Sequence, residues 1–263
     1  MTPEFEPGPL LVFDFDGVLV DGMPEYWWAA REAACRLDPS LDLPEQAPAD
    51  FARLRPSIHK GWEMVLVAAE LGRDSVARPD SLIAAGDYGA ALEPALRRWG
   101  WTPEQLQAEL ETVRAEALVQ QRQAWLERHR FYPGVVERLG RLSAEAADWG
   151  VLTTKGGAFA GEILAAAGLQ PRFLHGHEQG SKPEVLLRLR QLGRPLWFIE
   201  DRRPTLELVR RTAGLEAVRC FLAAWGYLAP GDREAIADGE ASSGRGIRWL
   251  TSERFAAPLA QWP

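Results

Sequence analysis

Short, largely apolar runs recur along the chain and predict buried strands. The first covers residues 10–13 and leads directly into Asp14 and Asp16. Four later runs have the same character, and they cover residues 150–153, 172–175, 196–199 and 217–222. Runs of this length without polar alternation are typical of strands that are buried on both faces, as they are in a parallel sheet.

Helical stretches alternate with these strands in the second half of the chain. Helices are predicted over residues 134–145, 157–167, 182–192 and 204–213. Ser181 and Glu184 predict a capping box at the start of the third of these helices, with Lys182 in its first turn. Strands and helices that alternate in this way form βαβ units with right-handed crossovers. We therefore predict an α/β fold with a doubly wound parallel sheet.

Residues 22–130 break this alternation and contain no convincing buried strand. Thr102 and Pro103 open a long helix, which its apolar spacing extends to about Arg130. Earlier helices are predicted over 24–37, 60–71 and 87–99, and loops over 38–50 and 73–86. We therefore expect an all-helical cap domain at 22–130, inserted into an α/β core domain that consists of residues 1–21 and 131–263.

The composition is that of a soluble globular protein, with 46% hydrophobic and 25% charged residues among 263. A net charge of −7 gives the chain no general attraction to nucleic acid or anionic lipid. The sequence contains no run of about 18 uncharged apolar residues, and its acidic, proline-rich start is unlike a signal peptide. We therefore expect a cytoplasmic protein without nucleic-acid or membrane partners, in which Cys35 and Cys220 are buried thiols.

Acids, hydroxyls and a lysine follow the predicted strands or open the next helix. These residues are Asp14, Asp16, Thr153, Thr154, Lys182, Glu200 and Asp201. The carboxyl ends of parallel strands share one edge of the sheet, so we expect these side chains to converge there. Clustered carboxylates repel one another unless a hard divalent cation joins them, and Mg²⁺ takes carboxylate and phosphate oxygens. Because a carboxylate can attack phosphorus while a lysine offsets charge, the pattern indicates phosphoryl transfer.

Four segments in order resemble the motifs of the haloacid dehalogenase (HAD) superfamily. Residues 11–21 are similar to its first motif, and Thr153 to its second. Lys182 is similar to its third motif, and Glu200 with Asp201 to its fourth. The Glu–Asp pair also occurs in the β-phosphoglucomutase branch of that superfamily.

Two further segments, 131–135 and 224–227, are similar to phosphoglycolate phosphatase-like members. The resemblance covers residues 9–23 and about 130–255. The helical insertion corresponds in position and type to a C1 cap, although it carries no matching motif. The resemblance therefore implies a HAD core with a helical cap.

The resemblance also implies a role for each acid. Asp14 would be the nucleophile, and Asp16 would protonate the leaving oxygen and later activate water. Asp201 would ligate Mg²⁺ together with the Asp14 carboxylate and the Asp16 carbonyl oxygen. Glu200 would be an auxiliary ligand or would lie behind the ligands.

The phosphoryl group would be bound by a hydroxyl and a lysine. Thr153 is the favoured hydroxyl and its neighbour Thr154 the alternative, while Lys182 would balance charge. Lysine occurs only at positions 60, 155 and 182 of the chain, so each lysine draws attention. We predict that Lys155 is a loop residue near the site.

Two lysine or arginine residues and two histidines outside the four motifs are further candidates for the site. Lys60 and Arg55, in the helical insertion, are possible contacts for an anionic substrate. His175 and His177 could suggest a metal pair, but Mg²⁺ prefers oxygen ligands, so we predict that they are loop residues.

The segment after the fourth motif departs from the family pattern. The family often has a further acid four positions after Asp201, where this chain has Thr205, while Glu207 lies further along. Arg202 and Arg203 also bring positive charge close to the predicted metal site. These changes weaken the support for the metal without removing the four motifs.

The motifs predict a Mg²⁺-dependent phosphatase that hydrolyses a small phosphate monoester through an aspartyl-phosphate. Phosphoglycolate and sugar phosphates are the first substrate candidates. A phosphomutase of β-phosphoglucomutase type would use the same core and remains an alternative. Asp16 argues against a carbon–phosphorus hydrolase, in which Lys60 would be the Schiff-base lysine, and against a haloalkanoate dehalogenase. A catalytically silent binding or regulatory module is a further alternative, and only residues 202–205 support it.

Overall fold

The chain divides into two compact units. One consists of Met1–Asp21 and Phe131–Pro263, and we call it the α/β unit; the other is Gly22–Arg130, the helical unit. The computed structural model describes residues 8–73, 81–236 and 246–263. Among the helices in these ranges, none has both the length and the apolar character needed to cross a bilayer.

The α/β unit is built on a six-stranded sheet in the order β5-β4-β1-β6-β7-β8. Every neighbouring pair in it runs parallel. The strands are β1 (Leu10–Phe13), β4 (Asp148–Leu152), β5 (Leu174–His175), β6 (Leu196–Glu200), β7 (Arg219–Ala223) and β8 (Arg248–Leu250). Two short strands, β2 (Val20–Asp21) and β3 (Arg130–Phe131), pair separately. The parallel sheet confirms the α/β fold that the strand pattern predicted.

The helical unit contains only helices and their connections between Met23 and Glu127, within the described residues. The α-helices are α1 (Met23–Leu37), α2 (Ala49–Leu54), α3 (Gly61–Gly72), α4 (Tyr88–Trp99), α5 (Pro103–Gln120) and α6 (Arg122–Glu127). Helix α3 packs against both α1 and α5, and its residues 64–70 are all buried. An apolar helix surrounded in this way forms the centre of a small bundle.

One buried ion pair joins α1 to α5. The Arg114 guanidinium donates to both carboxylate oxygens of Glu25, at 2.7 and 2.8 Å. The indole of Trp125 in α6 donates to the same carboxylate at 3.3 Å. Both charged groups lie in the interior of the bundle, so this pair fixes the register of the two helices.

Five α-helices whose two ends both lie in the described residues belong to the α/β unit. They are α7 (Val135–Arg141), α8 (Gly157–Ala166), α9 (Lys182–Arg190), α10 (Arg203–Arg211) and α11 (Ser252–Ala256). The middle strand β1 is completely buried, and Val12 packs in one core with Leu186 of α9 and Val209 of α10. The core therefore holds β1, whose carboxyl end carries Asp14, rigidly in place.

The helix predicted from Thr102 to about Arg130 is two helices in the structure, α5 and α6, with a break between them. Thr102 does cap the helix, since its hydroxyl accepts the Gln105 N–H at 3.2 Å. The helix stops at Gln120, because Gln121 leaves helical geometry with φ −146° and ψ 42°. The new direction of α6 brings the Trp125 side chain into the buried interior beside Glu25.

Several boundaries differ from the sequence-based ones. The predicted helix 134–145 ends as a 3-10 turn over Leu142–Glu145, and the predicted strand 172–175 keeps only its last two residues. Helix α2 begins inside the predicted loop 38–50, and β8 was not predicted at all. The predicted loop 73–86 falls largely on residues 74–80, which lie outside the described residues. Of the two free thiols, Cys220 is buried as predicted, but Cys35 is only half-buried.

Candidate active site

Asp14 directly follows β1 at the carboxyl edge of the sheet. Its backbone N–H donates to the carbonyl of Ile199 in β6 at 2.8 Å, which ties the residue to the neighbouring strand. Its carboxylate lies 2.8 Å from the Lys182 ammonium group, and the side chain is buried. The middle strand of the sheet thus presents a carboxylate in contact with a cation.

Lys182 reaches this site from the first turn of α9. The predicted capping box is confirmed, because the Glu184 carboxylate accepts the Ser181 N–H at 2.8 Å. The Lys182 Nζ also lies 2.6 Å from Glu200 Oε2, so one ammonium group bridges Asp14 and Glu200. The cap thus fixes the start of α9, and the start of α9 fixes the ammonium group.

Glu200 is held on both of its carboxylate oxygens. Oε2 contacts Lys182, while Oε1 accepts the backbone N–H groups of Asp201 and Arg202, each at 3.1 Å. Glu200 is almost completely buried at the end of β6. These contacts direct the Glu200 carboxylate toward Lys182 and the start of α10.

Burial dominates the electrostatics of the cluster. Burial, reinforced by the charge of Glu200 and opposed by Lys182, raises the pKa of Asp14 to about 7. Burial also raises the pKa of Glu200, although Lys182 opposes the shift. For Lys182, burial alone would lower the pKa, but the charges of Asp14 and Glu200 outweigh it and hold the pKa above its usual range. The lysine therefore stays charged, while Asp14 ionises with difficulty when no further cation is present.

Three acids at this edge form a group that could hold a metal ion. Carboxylate oxygens of Asp14, Glu200 and Asp201 all lie within 4.8 Å of one another in the part of the chain that the structure describes. A buried donor set made only of oxygen fits Mg²⁺. Asp14, Glu200 and Asp201 are therefore the candidate ligands among the described residues.

A glycine pair and a loop after β7 shape the surroundings of Asp201. The Tyr227 N–H donates to Asp201 Oδ2 at 2.8 Å. Gly17 has φ +90°, and a Cβ there would lie 1.9 Å from the same oxygen. A Cβ at Gly226 would lie 2.4 Å from the Gly17 carbonyl oxygen. Only glycine allows the backbone to approach the carboxylate this closely.

The loop after β7 is anchored at two further points. The Trp225 indole donates to the Val18 carbonyl at 3.0 Å, and the Tyr227 hydroxyl donates to Asp21 Oδ1 at 2.6 Å. The segment 224–227, which resembled phosphoglycolate phosphatase-like members, thus connects Asp201 to the end of β2. Its contacts explain why aromatic residues and a glycine occur together there.

Asp16 lies apart from the group of three acids. It follows the end of β1 in a tight turn, where it bridges to Val20, so Asp14 and Asp16 do not continue an extended strand as expected. Its carboxylate lies 3.4 Å from the Lys155 ammonium group. Sequence reasoning described Lys155 only as a loop residue near the site, although the scarcity of lysine was the signal that could have singled it out.

The two candidate hydroxyls differ in environment. Thr153 follows β4, is buried, and accepts the Lys155 N–H on its Oγ1 at 3.0 Å. Thr154 is exposed. The buried hydroxyl is therefore the better candidate for a phosphoryl contact.

Four further residues that the sequence singles out each have their own local surroundings. Lys60 is exposed in the helical unit and precedes α3, whereas Arg55 stacks on Tyr26, 4.8 Å from the ring centroid. His175 ends β5 half-buried, where burial and Arg188 lower its pKa, and His177 is exposed. Neither histidine belongs to a group that could hold a metal among the described residues.

Arg203, in the basic segment after Asp201, pairs with two acids. Arg203 pairs with Glu207 one turn later, and its Nε lies 2.8 Å from the buried Asp232. Thr205, at the position where the family often has an acid, is buried in α10. The charge of Arg203 is therefore balanced by Glu207 and Asp232.

Carboxylates, a hydroxyl and two lysines therefore meet at the carboxyl edge of a parallel sheet, which is where α/β enzymes place their reactive groups. The chain matches the family model of the haloacid dehalogenase-like hydrolases over residues 9–202, and it belongs to that family. This membership confirms the family and the hydrolase class that the four motifs indicated.

Solved structures with the same fold cover nearly the whole chain. A Haemophilus somnus protein described as a predicted phosphoglycolate phosphatase is 18% identical, with a TM-score of 0.58 and 96% of each chain covered. A haloacid dehalogenase-like family protein from Streptococcus pneumoniae is 14% identical, with a TM-score of 0.56 and coverage of 97% of this chain and 96% of that one.

A Thermotoga maritima protein, provisionally assigned as a β-phosphoglucomutase, is 18% identical, with a TM-score of 0.53 and coverage of 94% of this chain and 96% of that one. Identities this low establish the fold alone. Among curated proteins, no sequence matches the chain.

Proposed function

We propose that this protein is a Mg²⁺-dependent phosphatase that hydrolyses a small phosphate monoester through an aspartyl-phosphate. The observation that carries the proposal is the buried Asp14 carboxylate, which contacts Lys182 at 2.8 Å and shares an oxygen-lined cluster with Asp201. The membership in a hydrolase family supports the same chemistry.

The charges of the site favour a divalent cation. Four buried carboxylates (Asp14, Asp16, Glu200 and Asp201) face two buried ammonium groups (Lys155 and Lys182), which leaves an excess of two negative charges when all are ionised. Unpaired buried charge is costly, and a divalent cation would offset it. Asp14 and Asp201 would hold the ion. When bound, Mg²⁺ would neutralise charge on the phosphoryl oxygens as the ester bond breaks.

The reaction uses the two acids of the first motif in turn. A carboxylate oxygen of Asp14 attacks phosphorus, the bond from phosphorus to the ester oxygen breaks, and Asp16 gives its proton to that oxygen. Water then attacks the phosphorus of the aspartyl-phosphate and transfers a proton to Asp16. The bond from phosphorus to the Asp14 oxygen breaks and inorganic phosphate leaves. Asp14 is then a carboxylate again, and Asp16 carries its proton again. The Thr153 hydroxyl donates a hydrogen bond to the phosphoryl group, and Lys182 balances the charge.

The substrate would be a small phosphorylated metabolite. Phosphoglycolate and sugar phosphates are the first candidates, because the segments 131–135 and 224–227 resemble phosphoglycolate phosphatase-like proteins and the H. somnus neighbour is described in the same terms. We propose that the helical unit acts as a cap domain that supplies substrate contacts, with Lys60 and Arg55 as candidates, and that excludes water from the reacting groups. We also propose that the enzyme is cytoplasmic.

The test is phosphate release from a panel of esters. Wild type and Asp14→Asn are assayed with and without Mg²⁺ on p-nitrophenyl phosphate, phosphoglycolate, sugar phosphates and nucleotides. Glu137→Gln, which neutralises an exposed acid of α7, is the matched control. We expect Mg²⁺-dependent release that persists in the control and falls by at least ~10³-fold in Asp14→Asn, as expected for loss of a nucleophile. Release that survives in Asp14→Asn would overturn the mechanism.

A phosphomutase of β-phosphoglucomutase type is the second candidate. The Glu200–Asp201 pair, which occurs in that branch, and the fold shared with the T. maritima protein favour it. A mutase would convert a sugar monophosphate only when a sugar bisphosphate is added in catalytic amount, and it would release little phosphate. An inactive panel and an inactive mutase assay together would leave a binding or regulatory module.

A further inference from the structure

Lys155 is a buried lysine to which the proposed reaction assigns no task. Its side chain is only about as exposed as that of Asp201, at 4% for each residue. A buried ammonium group is costly unless a carboxylate accompanies it, and Asp16 is 3.4 Å away. The Asp16 carboxylate therefore helps to stabilise the buried ammonium group of Lys155.

The backbone holds Lys155 in a fixed place. Its N–H donates to Thr153 Oγ1 at 3.0 Å, and its carbonyl accepts the N–H of His177 at 3.4 Å. Gly176 approaches so closely that a Cβ there would lie 2.8 Å from the Lys155 carbonyl oxygen. A residue fixed at both peptide groups brings its ammonium group to a defined position.

The two buried lysines serve different acids. Lys182 contacts Asp14 at 2.8 Å and Glu200 at 2.6 Å, while Lys155 contacts Asp16. They also come from different elements, since Lys155 lies in the turn between β4 and α8 and Lys182 in the first turn of α9. The nucleophile and the acid–base residue therefore each have a separate cation.

We propose that Lys155 is a positioning residue that holds the Asp16 carboxyl group where it can transfer a proton to the leaving oxygen. The role rests on the proposed phosphatase function. Asp16 lies in a tight turn after β1, and the ammonium group limits the directions its carboxyl group can take. Lys155 acts through Asp16 and makes no contact with the phosphoryl group itself.

The choice of leaving group tests this role. p-Nitrophenolate leaves readily without a proton, whereas the alkoxide of an aliphatic ester such as phosphoglycolate needs one. If Lys155 acts through Asp16, Lys155→Met loses about 10²-fold in kcat/KM on the aliphatic ester and less than about 3-fold in kcat/KM on p-nitrophenyl phosphate, in proportion to the need for a general acid. The ratio kcat/KM is the readout because it reports departure of the leaving group and excludes the later hydrolysis of the aspartyl-phosphate, which also uses Asp16. Lys155→Arg, which keeps the charge, recovers part of the loss. Arg211→Met, which removes an exposed cation at the end of α10, changes neither rate.

A double variant separates positioning from direct contact. When Asp16→Asn is combined with Lys155→Met, we expect a loss on the aliphatic ester no larger than that of Asp16→Asn alone. Equal losses on both esters in Lys155→Met, or a double variant whose loss is the product of the single ones, would overturn the role of Lys155. Circular dichroism and urea unfolding of each variant check that it folds. A wild type that hydrolyses no ester would overturn the proposed function itself, and the positioning role would fall with it.

Discussion

At the scale of single residues, the carboxyl group of Asp14 makes folding depend on pH. Burial raises its pKa from the ordinary 3.8 to about 7 in the metal-free site. Between these two values the folded state binds more protons than the unfolded state, so the free energy of unfolding falls as pH rises. We expect this fall between pH 4 and 7 in urea unfolding with EDTA.

Asp14→Asn is the matched control because asparagine does not titrate. The difference in unfolding free energy between the two proteins isolates Asp14 from the other acids, whose pKa values shift in both directions. That difference should change with pH across the window and level off above about pH 7. A difference that stays constant from pH 4 to 7 would contradict the raised pKa.

The proposed metal site requires glycine at position 17, where there is no room for a side chain beside Asp201. In Gly17→Ala the new Cβ would displace Asp201 Oδ2, because the two would be 1.9 Å apart. Gly168 is the matched control, since it has φ +70° and open space around the position of a Cβ. The left-handed backbone should cost each variant about 1 kcal/mol of stability, and Gly17→Ala should lose more because Asp201 must also move.

Only Gly17→Ala should bind Mg²⁺ more weakly, by about 10-fold or more, as measured by titration calorimetry. The Gly168→Ala variant should bind it as the wild type does. Equal Mg²⁺ affinity in both variants would mean that Asp201 does not hold the ion.

Individual site residues differ in how far the sequence predicted them. The sequence predicted the positions of Asp14 and Lys182, because the end of a buried strand and a capping box are local patterns. The contact of Lys155 with Asp16 was not predicted, because it joins residues 139 positions apart and depends on the direction of two side chains. The sequence also could not predict that both carboxylate oxygens of Glu200 accept hydrogen bonds, because the contact with Lys182 likewise depends on side-chain direction.

At the scale of elements, the helical unit depends on the ion pair between α1 and α5. Removal of Arg114 takes the guanidinium away from the buried Glu25 carboxylate, so Arg114→Met should cost about 3–5 kcal/mol in the free energy of unfolding. The double variant Glu25→Leu/Arg114→Met should recover much of that loss, because it buries no charge. Urea unfolding measures both, and a double variant less stable than Arg114→Met would contradict this account.

Helices and strands were predicted where local signals begin or end them. The runs at 10–13 and 196–199 match β1 and β6 closely, and Thr102 and Ser181 start helices in the structure as expected. The break at Gln121 carries no proline or glycine, so no local signal shows it. It follows from tertiary packing, since α6 turns to bury Trp125 beside Glu25.

At the scale of the whole molecule, the two units have separate cores and should unfold in two calorimetric transitions. Mg²⁺ should raise the free energy of unfolding of the α/β unit alone, by about 2.7 kcal/mol at a concentration 100 times its Kd, and so raise the midpoint of that transition only. Asp201→Asn should abolish that shift, and Arg114→Met should lower only the other midpoint. A single transition that both variants alter would show that the units unfold together.

The middle position of β1 in the sheet also has a consequence for biosynthesis. Asp14 leaves the ribosome early, but β1 pairs with β6, which follows about 190 residues later, a delay of roughly 10–40 s at ordinary translation rates. Throughout that time Asp14 lacks the strand whose Ile199 carbonyl accepts its backbone N–H. The complete cluster therefore assembles only after β6 has been synthesised, and a chain that stalls before residue 196 lacks Glu200 and Asp201.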